Sequence, residues 1–225
     1  MGKVLVACEE SQTVAKAFRK LGHEAYSCDL LPCSGGHSEW HYQCDIFEVI
    51  DLGWDLMVAH PPCTFLASSG VQWLSHPEDK DLAFDVRRPH PKYPTRRQDM
   101  LDSIEFVKAL FNSNVNKVAI ENPIGVLSTR WKKPDQVIQP YMFGDEATKS
   151  TCLWLKNLPL LIPTKIVGKG ERTVFASGKS HPKWYADALA QAKTKEERQT
   201  LRSKTFQGIA DAIADAIAAQ WGCLI

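Results

Sequence analysis

Short apolar runs alternate with longer amphipathic segments over the first 125 residues. The runs KVLVAC, EAYSCDL, WDLMVAH and KVAIENP are typical of buried strands, and QCDI is a briefer run of the same kind. Residues 11–24 and 96–113 repeat apolar residues every three or four positions, which predicts helices, and a short helix is expected near FEVIDLG. Strands separated by helices predict a Rossmann-like α/β fold in three layers, with a mostly parallel sheet and helices on both faces.

The apolar faces of the predicted helices identify core residues. In the first helix this face consists of Val14, Phe18 and Leu21. In the helix over 96–113 it consists of Leu101, Ile104, Val107, Leu110 and Phe111. Both faces are expected to pack against the sheet.

The pattern changes after residue 125. QVIQPYMFG and STCLWLKNL predict two further strands. Residues 160–204 have no clear periodicity but contain ten basic and four acidic residues, a local net charge of about +6. A closing helix is expected near the end, with Ile209, Ile213 and Ile217 on one face. We therefore divide the chain into a catalytic and cofactor-binding domain at 1–159, a small basic DNA-recognition insertion at 160–204, and a closing helix at 205–225 that packs back on the catalytic domain.

Composition is that of a soluble globular protein. The chain has 225 residues, of which 44% are hydrophobic and 24% charged. No apolar run is long enough to span a membrane, and the acidic end of MGKVLVACEE is typical of a strand rather than a signal peptide. Seven cysteines at irregular spacing indicate free thiols in a reducing cytoplasm rather than a disulfide framework. The net charge of +1 does not identify partners. DNA binding is predicted instead from the local positive charge of the basic stretch at 160–204.

Polar side chains stand at the ends of the predicted parallel strands. Because ligands bind at the carboxyl ends of such strands, these residues form the candidate site. They are Cys8, Glu9, Glu10, Asp29, Asp45, His60 to Cys63, Glu121, Asn122 and Pro123.

One of these residues is a cysteine that directly follows two prolines. In VAHPPCTFLASSG an apolar strand ends and Pro61 and Pro62 fix the turn that presents Cys63. Carbon 5 of cytosine becomes reactive when a thiolate adds to carbon 6 while an acid protonates ring nitrogen 3. Cys63 and the strand-end carboxyl group of Glu121 match those two requirements.

DLMVAHPPCTFLA followed by VAIENP resembles the two signatures of the DNA cytosine-5 methyltransferases, and the chain looks most like their small phage and prophage members. The resemblance implies that Cys63 is the nucleophile and that Glu121 protonates nitrogen 3 and holds the exocyclic amine. FGDEATKSTCLWL is similar to the family's Gln-x-Arg-x-Arg strand pair, which places Lys149 and Thr151 on its two arginines and implies that Lys149 neutralises the cytosine carbonyl oxygen.

Three features depart from the family pattern. The first turn, VACEESQT, contains no glycine, so close backbone approach to a cofactor is not assured there. Ala147, Lys149 and Thr151 replace Gln-x-Arg-x-Arg, and Pro123 stands where a valine is usual.

The resulting site assignments are as follows. The catalytic residues are Cys63, Glu121 and Lys149. The residues assigned to the cofactor, S-adenosylmethionine or a close derivative, are Cys8, Glu9, Glu10, Ser11, Asp29, Leu30, Asp45, Ile46, Pro61 and Gly208. The substrate-binding residues are Pro62, Asn122, Pro123 and Arg97.

Simpler roles compete with several of these assignments. Asp29 and Asp45 could be helix caps, and so could Glu9 to Ser11. Five further residues suggest a zinc site, but their spacing matches no common ligand pattern, so we expect no metal: Cys28, Cys33, His37, His41 and Cys44. Trp184 and Tyr185 among the lysines of the basic stretch favour a DNA contact.

The sequence thus predicts methyl transfer from S-adenosylmethionine to carbon 5 of a cytosine flipped out of DNA. One alternative is the same chemistry with a modified cofactor that donates a carboxymethyl group, or on free cytidine nucleotides. Another is an inactive DNA-binding module.

Overall fold

A computed structural model of the protein describes residues 1–203 and 205–221, and the side chains of all of these except 195, 196, 199 and 217–221. The predicted position of Ile217 on the closing helix therefore lies outside the described side chains. Within the described residues, no helix combines the length and apolarity needed to cross a membrane.

Seven strands form the main sheet, in the order β3-β2-β1-β4-β5-β7-β6. Their bounds are β1 Lys3–Ala7, β2 Glu24–Asp29, β3 His41–Gln43, β4 Leu56–Ala59, β5 Lys117–Pro123, β6 Gln136–Ile138 and β7 Thr151–Lys156. The pairs among β1 to β5 are parallel, whereas β7 is antiparallel to both β5 and β6. The chain passes from β1 outward to β3 and then returns to β4, so the carboxyl ends of β1, β4 and β5 lie side by side.

Helices cover both faces of this sheet. Their bounds are α1 Thr13–Lys20, α2 Ile46–Val49, α3 Arg96–Phe111, α4 Leu127–Arg130, α5 Lys183–Gln191, α6 Lys195–Ser203 and α7 Gln207–Trp221. Alternate residues of β1 point to opposite faces, with Val4 and Val6 in the core under α1 and α7, and Leu5 in the core under α3. The predicted three-layer, Rossmann-like α/β architecture is confirmed.

The two predicted helix faces are largely correct, since Val14, Phe18, Ile104, Val107 and Leu110 are buried, but each face includes one exposed residue. Leu101 is 42% exposed, and Met100 instead continues the buried stripe of Ile104 and Val107. Leu21 is 43% exposed because it follows the last turn of α1. Adjacent helical residues differ by about 100° in direction, so a one-residue error moves a side chain from core to solvent.

The region after residue 125 is more structured than its sequence indicates. β6 ends at Ile138, and Pro140 begins a short turn of helix over Pro140–Met142 within the expected strand. The basic stretch contains a hairpin of β8 Arg172–Val174 and β9 Ser180–Pro182, followed by α5 and α6. Its apolar residues are too few and too scattered to reveal these elements by periodicity.

Candidate active site

A hydrogen bond joins the two segments that carry the methyltransferase-like signatures. β4 and β5 are parallel neighbours, with Ala59 opposite Ile120, so the segments that follow them leave the same edge of the sheet. The side-chain amide of Asn122, 1% exposed, donates a 2.8 Å hydrogen bond to the carbonyl oxygen of Pro61. Asn122 therefore contacts the Pro61 turn itself, and its Oδ1 atom is buried without a hydrogen-bond partner in the described structure.

Backbone contacts extend this connection beyond the strand ends. The amide of Ser68 donates to Ile124 at 3.0 Å, and that of Val126 donates to Leu66 at 2.8 Å. Gly125 lies so close to the first segment that a Cβ atom there would be 1.9 Å from the carbonyl oxygen of Leu66. The two segments thus form one packed unit that only glycine at position 125 permits.

The turn after β4 presents Cys63 at the surface of this unit. Pro61 is buried and Pro62 exposed, and neither has a backbone N–H to satisfy. The amides of Leu66 and Ala67 both donate to the carbonyl oxygen of Cys63, at 3.0 and 2.9 Å. The backbone is therefore fixed on both sides of a half-buried thiol.

The charges around Cys63 act in opposite directions. Burial and the negative charge of Glu121 raise the pKa of the Cys63 thiol, while the positive charges of Lys149 and Arg202 lower it in part. Lys149 precedes β7, and Arg202 belongs to α6 in the basic stretch. The fold thus brings both Lys149 and Arg202 close enough to act on Cys63, and the sequence indicated Arg202 only as one of ten basic residues.

Glu121 has a partner that sequence reasoning did not assign. His60 Nδ1 lies 3.1 Å from Glu121 Oε2, and the two side chains are 11% and 14% exposed. Burial lowers the pKa of His60, but the hydrogen bond and charge of Glu121 and the charge of Glu9 outweigh this and raise it. Burial raises the pKa of Glu121, but the hydrogen bond from His60 and the charge of Lys149 lower it overall. The signal for His60 was its place at the end of the strand, directly before the two prolines.

A second group of residues surrounds Cys8 at the end of β1. Burial, Asp29 and Asp45 together raise the pKa of the Cys8 thiol to about 12, so both carboxylates lie near it. Burial and the neighbouring Glu10 raise the pKa of Asp29. The first turn lacks glycine, yet Cys8 and Gln12 both adopt the left-handed backbone conformation, with φ of 58°.

Helix capping accounts for two of the predicted cofactor residues. The buried carboxylate of Glu9 accepts hydrogen bonds from the amides of Val14 and Ala15 in the first turn of α1. Asp45 caps α2 and completes a capping box with Glu48. Glu9 is thereby turned toward α1, whereas Asp45 is exposed and near Cys8.

The remaining assigned cofactor residues have varied surroundings. Ile46 is 6% exposed and part of the core, whereas Leu30 is 72% exposed. The hydroxyl of Ser11 pairs with that of Thr13. Gly208 packs against Phe143, where a Cβ atom would be 1.9 Å from the carbonyl oxygen. The close packing against Phe143 is by itself a sufficient reason for a glycine at position 208.

Arg96 rather than Arg97 contacts the Cys63 turn. The Arg96 guanidinium donates a 2.8 Å hydrogen bond to the carbonyl oxygen of Thr64. Arg97 bonds instead to Ser75 and to the carbonyl oxygen of Arg87. Thr151 and Pro123 are opposite each other in the β5–β7 pairing, so Thr151 lies beside the Glu121 strand end without supplying a charge.

The residues considered for zinc are engaged elsewhere. His37 stacks on Trp40, and His41 bonds to Ser27 through Nδ1. The Cys28 and Cys44 thiols are 4.0 Å apart, and no three His, Cys, Asp or Glu side chains of the described part of the chain are grouped so that they could hold a metal ion.

Trp184 and Tyr185 contact the protein itself. The indole of Trp184 donates to the carbonyl oxygen of Thr148 at 3.0 Å, next to Lys149. Tyr185 stacks on His181, and the Arg202 guanidinium lies 4.6 Å from its ring centre. These aromatic residues therefore anchor the basic stretch beside the site.

Comparison with known proteins finds resemblance only among solved structures, since no family model and no curated protein matches the sequence. An Escherichia coli prophage protein provisionally named a DNA modification methyltransferase aligns with a TM-score of 0.45 at 11% identity, over 75% of this chain and 52% of that one. Dnmt2 methyltransferase from S. pombe aligns with a TM-score of 0.43 at 13% identity, over 87% of this chain and 61% of that one. A DNMT2 mutant from Spodoptera frugiperda aligns with a TM-score of 0.41 at 12% identity, over 75% of this chain and 55% of that one. The chain covers about half to three-fifths of those proteins, so its function has to be argued from its own site residues.

Proposed function

We propose that this protein is a methyltransferase that uses S-adenosylmethionine to methylate carbon 5 of cytosine in DNA, with Cys63 as the nucleophile. The observation that carries the proposal is the direct linkage of the Cys63 turn to the Glu121 strand end through Asn122 and Pro61. This linkage supports a single site in which a thiol and a carboxyl group act on the same base.

Each residue has a defined part in the proposed reaction. The Cys63 thiolate adds to carbon 6 of the cytosine ring while Glu121 delivers a proton to nitrogen 3, so that carbon 5 gains electron density. Carbon 5 takes the methyl group, its original proton is lost to a base, and the electron pair of that C–H bond expels Cys63 as thiolate. Because the thiolate approaches from above the ring plane, the base has to be flipped out of the duplex.

The surroundings of Cys8 suit the cofactor. S-adenosylmethionine supplies an electrophilic methyl group on a positively charged sulfur, and it carries an ammonium group and ribose hydroxyls. The carboxylates of Asp29 and Asp45 lie near Cys8, and that of Glu10 lies near Asp29, so the three offer negative charge and hydrogen-bond acceptors. We assign these three residues to the cofactor. Glu9 and Ile46 are left out, because the carboxylate of Glu9 is hydrogen-bonded to α1 and the side chain of Ile46 packs in the core.

Lys149 and Arg202 also favour a second form of the same chemistry. A cofactor that donates a carboxymethyl group would bring a carboxylate close to the reacting carbon, where a cation would stabilise it. Both residues are near enough to lower the pKa of Cys63. They serve equally to stabilise the thiolate and the cytosine carbonyl oxygen, so plain methyl transfer stays the primary proposal.

The test is to incubate the protein with S-adenosylmethionine and DNA and to analyse the nucleosides by mass spectrometry. We expect cytosine to gain the mass of one methyl group, and DNA containing 5-fluorocytosine to form a covalent complex with the protein. Cys63→Ala should abolish both results, whereas Cys33→Ala, at a thiol bonded to Gln12, should preserve them. Methylated adenine, or methyl transfer by Cys63→Ala, would contradict the proposal. Modification of free cytidine nucleotides but not of DNA would show that the substrate is a free nucleotide rather than DNA.

A further inference from the structure

We propose that His60 is a positioning residue that stores the proton Glu121 passes to the cytosine ring, an inference that rests on the proposed function. In the resting site His60 is an imidazolium whose Nδ1 proton points to Glu121, and Glu121 is a carboxylate. As the base is engaged, the proton moves from Nδ1 to the carboxylate, leaving a neutral imidazole, and then to nitrogen 3. When Cys63 is expelled, the proton returns by the same route.

The position of the imidazole is set by the sheet. The backbone amide of His60 donates a 2.9 Å hydrogen bond to the carbonyl oxygen of Ala7 at the end of β1, which continues the parallel ladder between β1 and β4. Glu121 belongs to β5, the neighbour of β4 on the other side. The 3.1 Å contact between Nδ1 and Oε2 is therefore built on two adjacent strand ends.

The contact requires a proton on Nδ1. Glu121 as a carboxylate can only accept a hydrogen bond, so Nδ1 must donate it. His60 Nε2 is also buried and has no hydrogen-bond partner among the described residues. The Nδ1 proton is present both in the imidazolium and in the neutral tautomer protonated on Nδ1, and the charges of Glu121 and Glu9 favour the imidazolium.

The charged groups that face the pair agree with this resting state. Glu9, from the segment after β1, and Glu121 both favour the charged form of His60, and Lys149 opposes it. Lys149 in turn favours the carboxylate form of Glu121. A carboxylate is a negligible acid toward nitrogen 3, so Glu121 needs a proton source close by, and His60 is the group in contact with it.

The same transfer would activate the nucleophile. The negative charge of Glu121 raises the pKa of the Cys63 thiol. When Glu121 takes the proton from His60, both side chains become neutral, and because Glu121 acts on Cys63 more strongly than His60 does, the thiolate becomes easier to form. Protonation of the base and attack by Cys63 are thereby coupled through one proton.

The decisive variant is His60→Asn, because its amide can donate a hydrogen bond near the place of Nδ1 but cannot release a proton. We expect folding, cofactor binding and DNA binding to stay close to wild type, while single-turnover methyl transfer falls roughly 10²-fold. The wild-type rate should rise with pH as Cys63 ionises and fall again as His60 loses its proton, and His60→Asn should lose the falling limb. His23→Asn is the matched control, since this buried histidine accepts a hydrogen bond from Gly2 at the opposite end of the sheet.

Histidine ¹⁵N NMR supplies a readout independent of turnover. We expect His60 to carry a proton on Nδ1 and to titrate above the ordinary histidine range, and Glu121→Gln to lower its pKa. A neutral His60 at pH 6, or a His60→Asn enzyme with unchanged rate and pH profile, would overturn the proton-storage role while leaving the proposed function intact. A wild-type protein that neither methylates DNA nor traps 5-fluorocytosine would instead overturn the proposed function, and this inference with it.

Discussion

Asn122 holds Pro61 in place: its buried amide donates a 2.8 Å hydrogen bond to the carbonyl two residues before Cys63. The two residues are 61 positions apart in the chain, and the contact exists because β4 and β5 are neighbours. The conformation of the Cys63 turn therefore depends on the strand that carries Glu121.

Asn122→Ala removes this hydrogen bond and leaves the Pro61 carbonyl unpaired in the interior. We expect the free energy of unfolding to fall by about 1–3 kcal/mol and methyl transfer to fall further than this loss of stability explains, because the Cys63 turn loses its support. Thermal unfolding and single-turnover rates measure the two effects. Asn114→Ala, which removes an exposed contact with Asp51, should change neither, and an unaltered rate in Asn122→Ala would contradict the positioning role.

Gly125→Ala tests the close packing of the two site segments. A methyl group there would collide with the Leu66 carbonyl oxygen at 1.9 Å, so one segment has to move. We expect a destabilisation of about 3 kcal/mol, measured by denaturant unfolding, and loss of the 5-fluorocytosine complex.

Gly168→Ala is the control for this change, because a Cβ atom at that exposed position would meet nothing within 4 Å. Its stability should stay within about 0.5 kcal/mol of wild type. A Gly125→Ala protein as stable and as reactive as Gly168→Ala would show that the segments are not packed as described.

The reactivity of Cys63 should follow the charges around it. Because burial and Glu121 raise the pKa of this thiol, alkylation by iodoacetamide should keep accelerating above the ordinary thiol range. Lys149→Met raises the pKa further and should slow the reaction roughly threefold or more at pH 8, whereas Glu121→Gln should accelerate it. Peptide mass spectrometry identifies the labelled cysteine, and Lys20→Met at the end of α1 serves as the control. Equal rates in all variants would refute the electrostatic account.

DNA binding should be strongly salt-dependent and weakly sequence-specific. Many lysines and few amide side chains line the stretch 160–204, and lysines contact phosphates without reading bases. Arg172 is bonded to Ser180, and Lys183 to Asp187, which limits base contacts further. We expect a target on the order of two to four base pairs.

Sequencing the modified cytosines of a fully treated plasmid measures the target, and binding titrations measure the salt effect. Affinity should fall roughly 10²-fold between about 50 and 200 mM salt if four phosphates are contacted. A single strict site of about six base pairs or more would show that this stretch reads bases as well as contacting phosphates.

The pattern of the sequence by itself determined the class of the fold and identified the two segments that carry the candidate residues Cys63 and Glu121. Alternating strands and helices, and the apolar character of WDLMVAH and KVAIENP, are local properties, so they survive without knowledge of the tertiary structure. The rule that parallel strands bind ligands at their carboxyl ends then pointed to Cys63 and Glu121.

Only the tertiary structure decided what those side chains contact. The partnership of His60 with Glu121 follows from the adjacency of β4 and β5, and the approach of Arg202 to Cys63 follows from the folding of α6. Arg96 rather than Arg97 contacts the Cys63 turn because adjacent helical residues differ by about 100° in direction. Contacts between segments remote in the chain depend on strand order and helix rotation, and no local pattern of residues encodes either one.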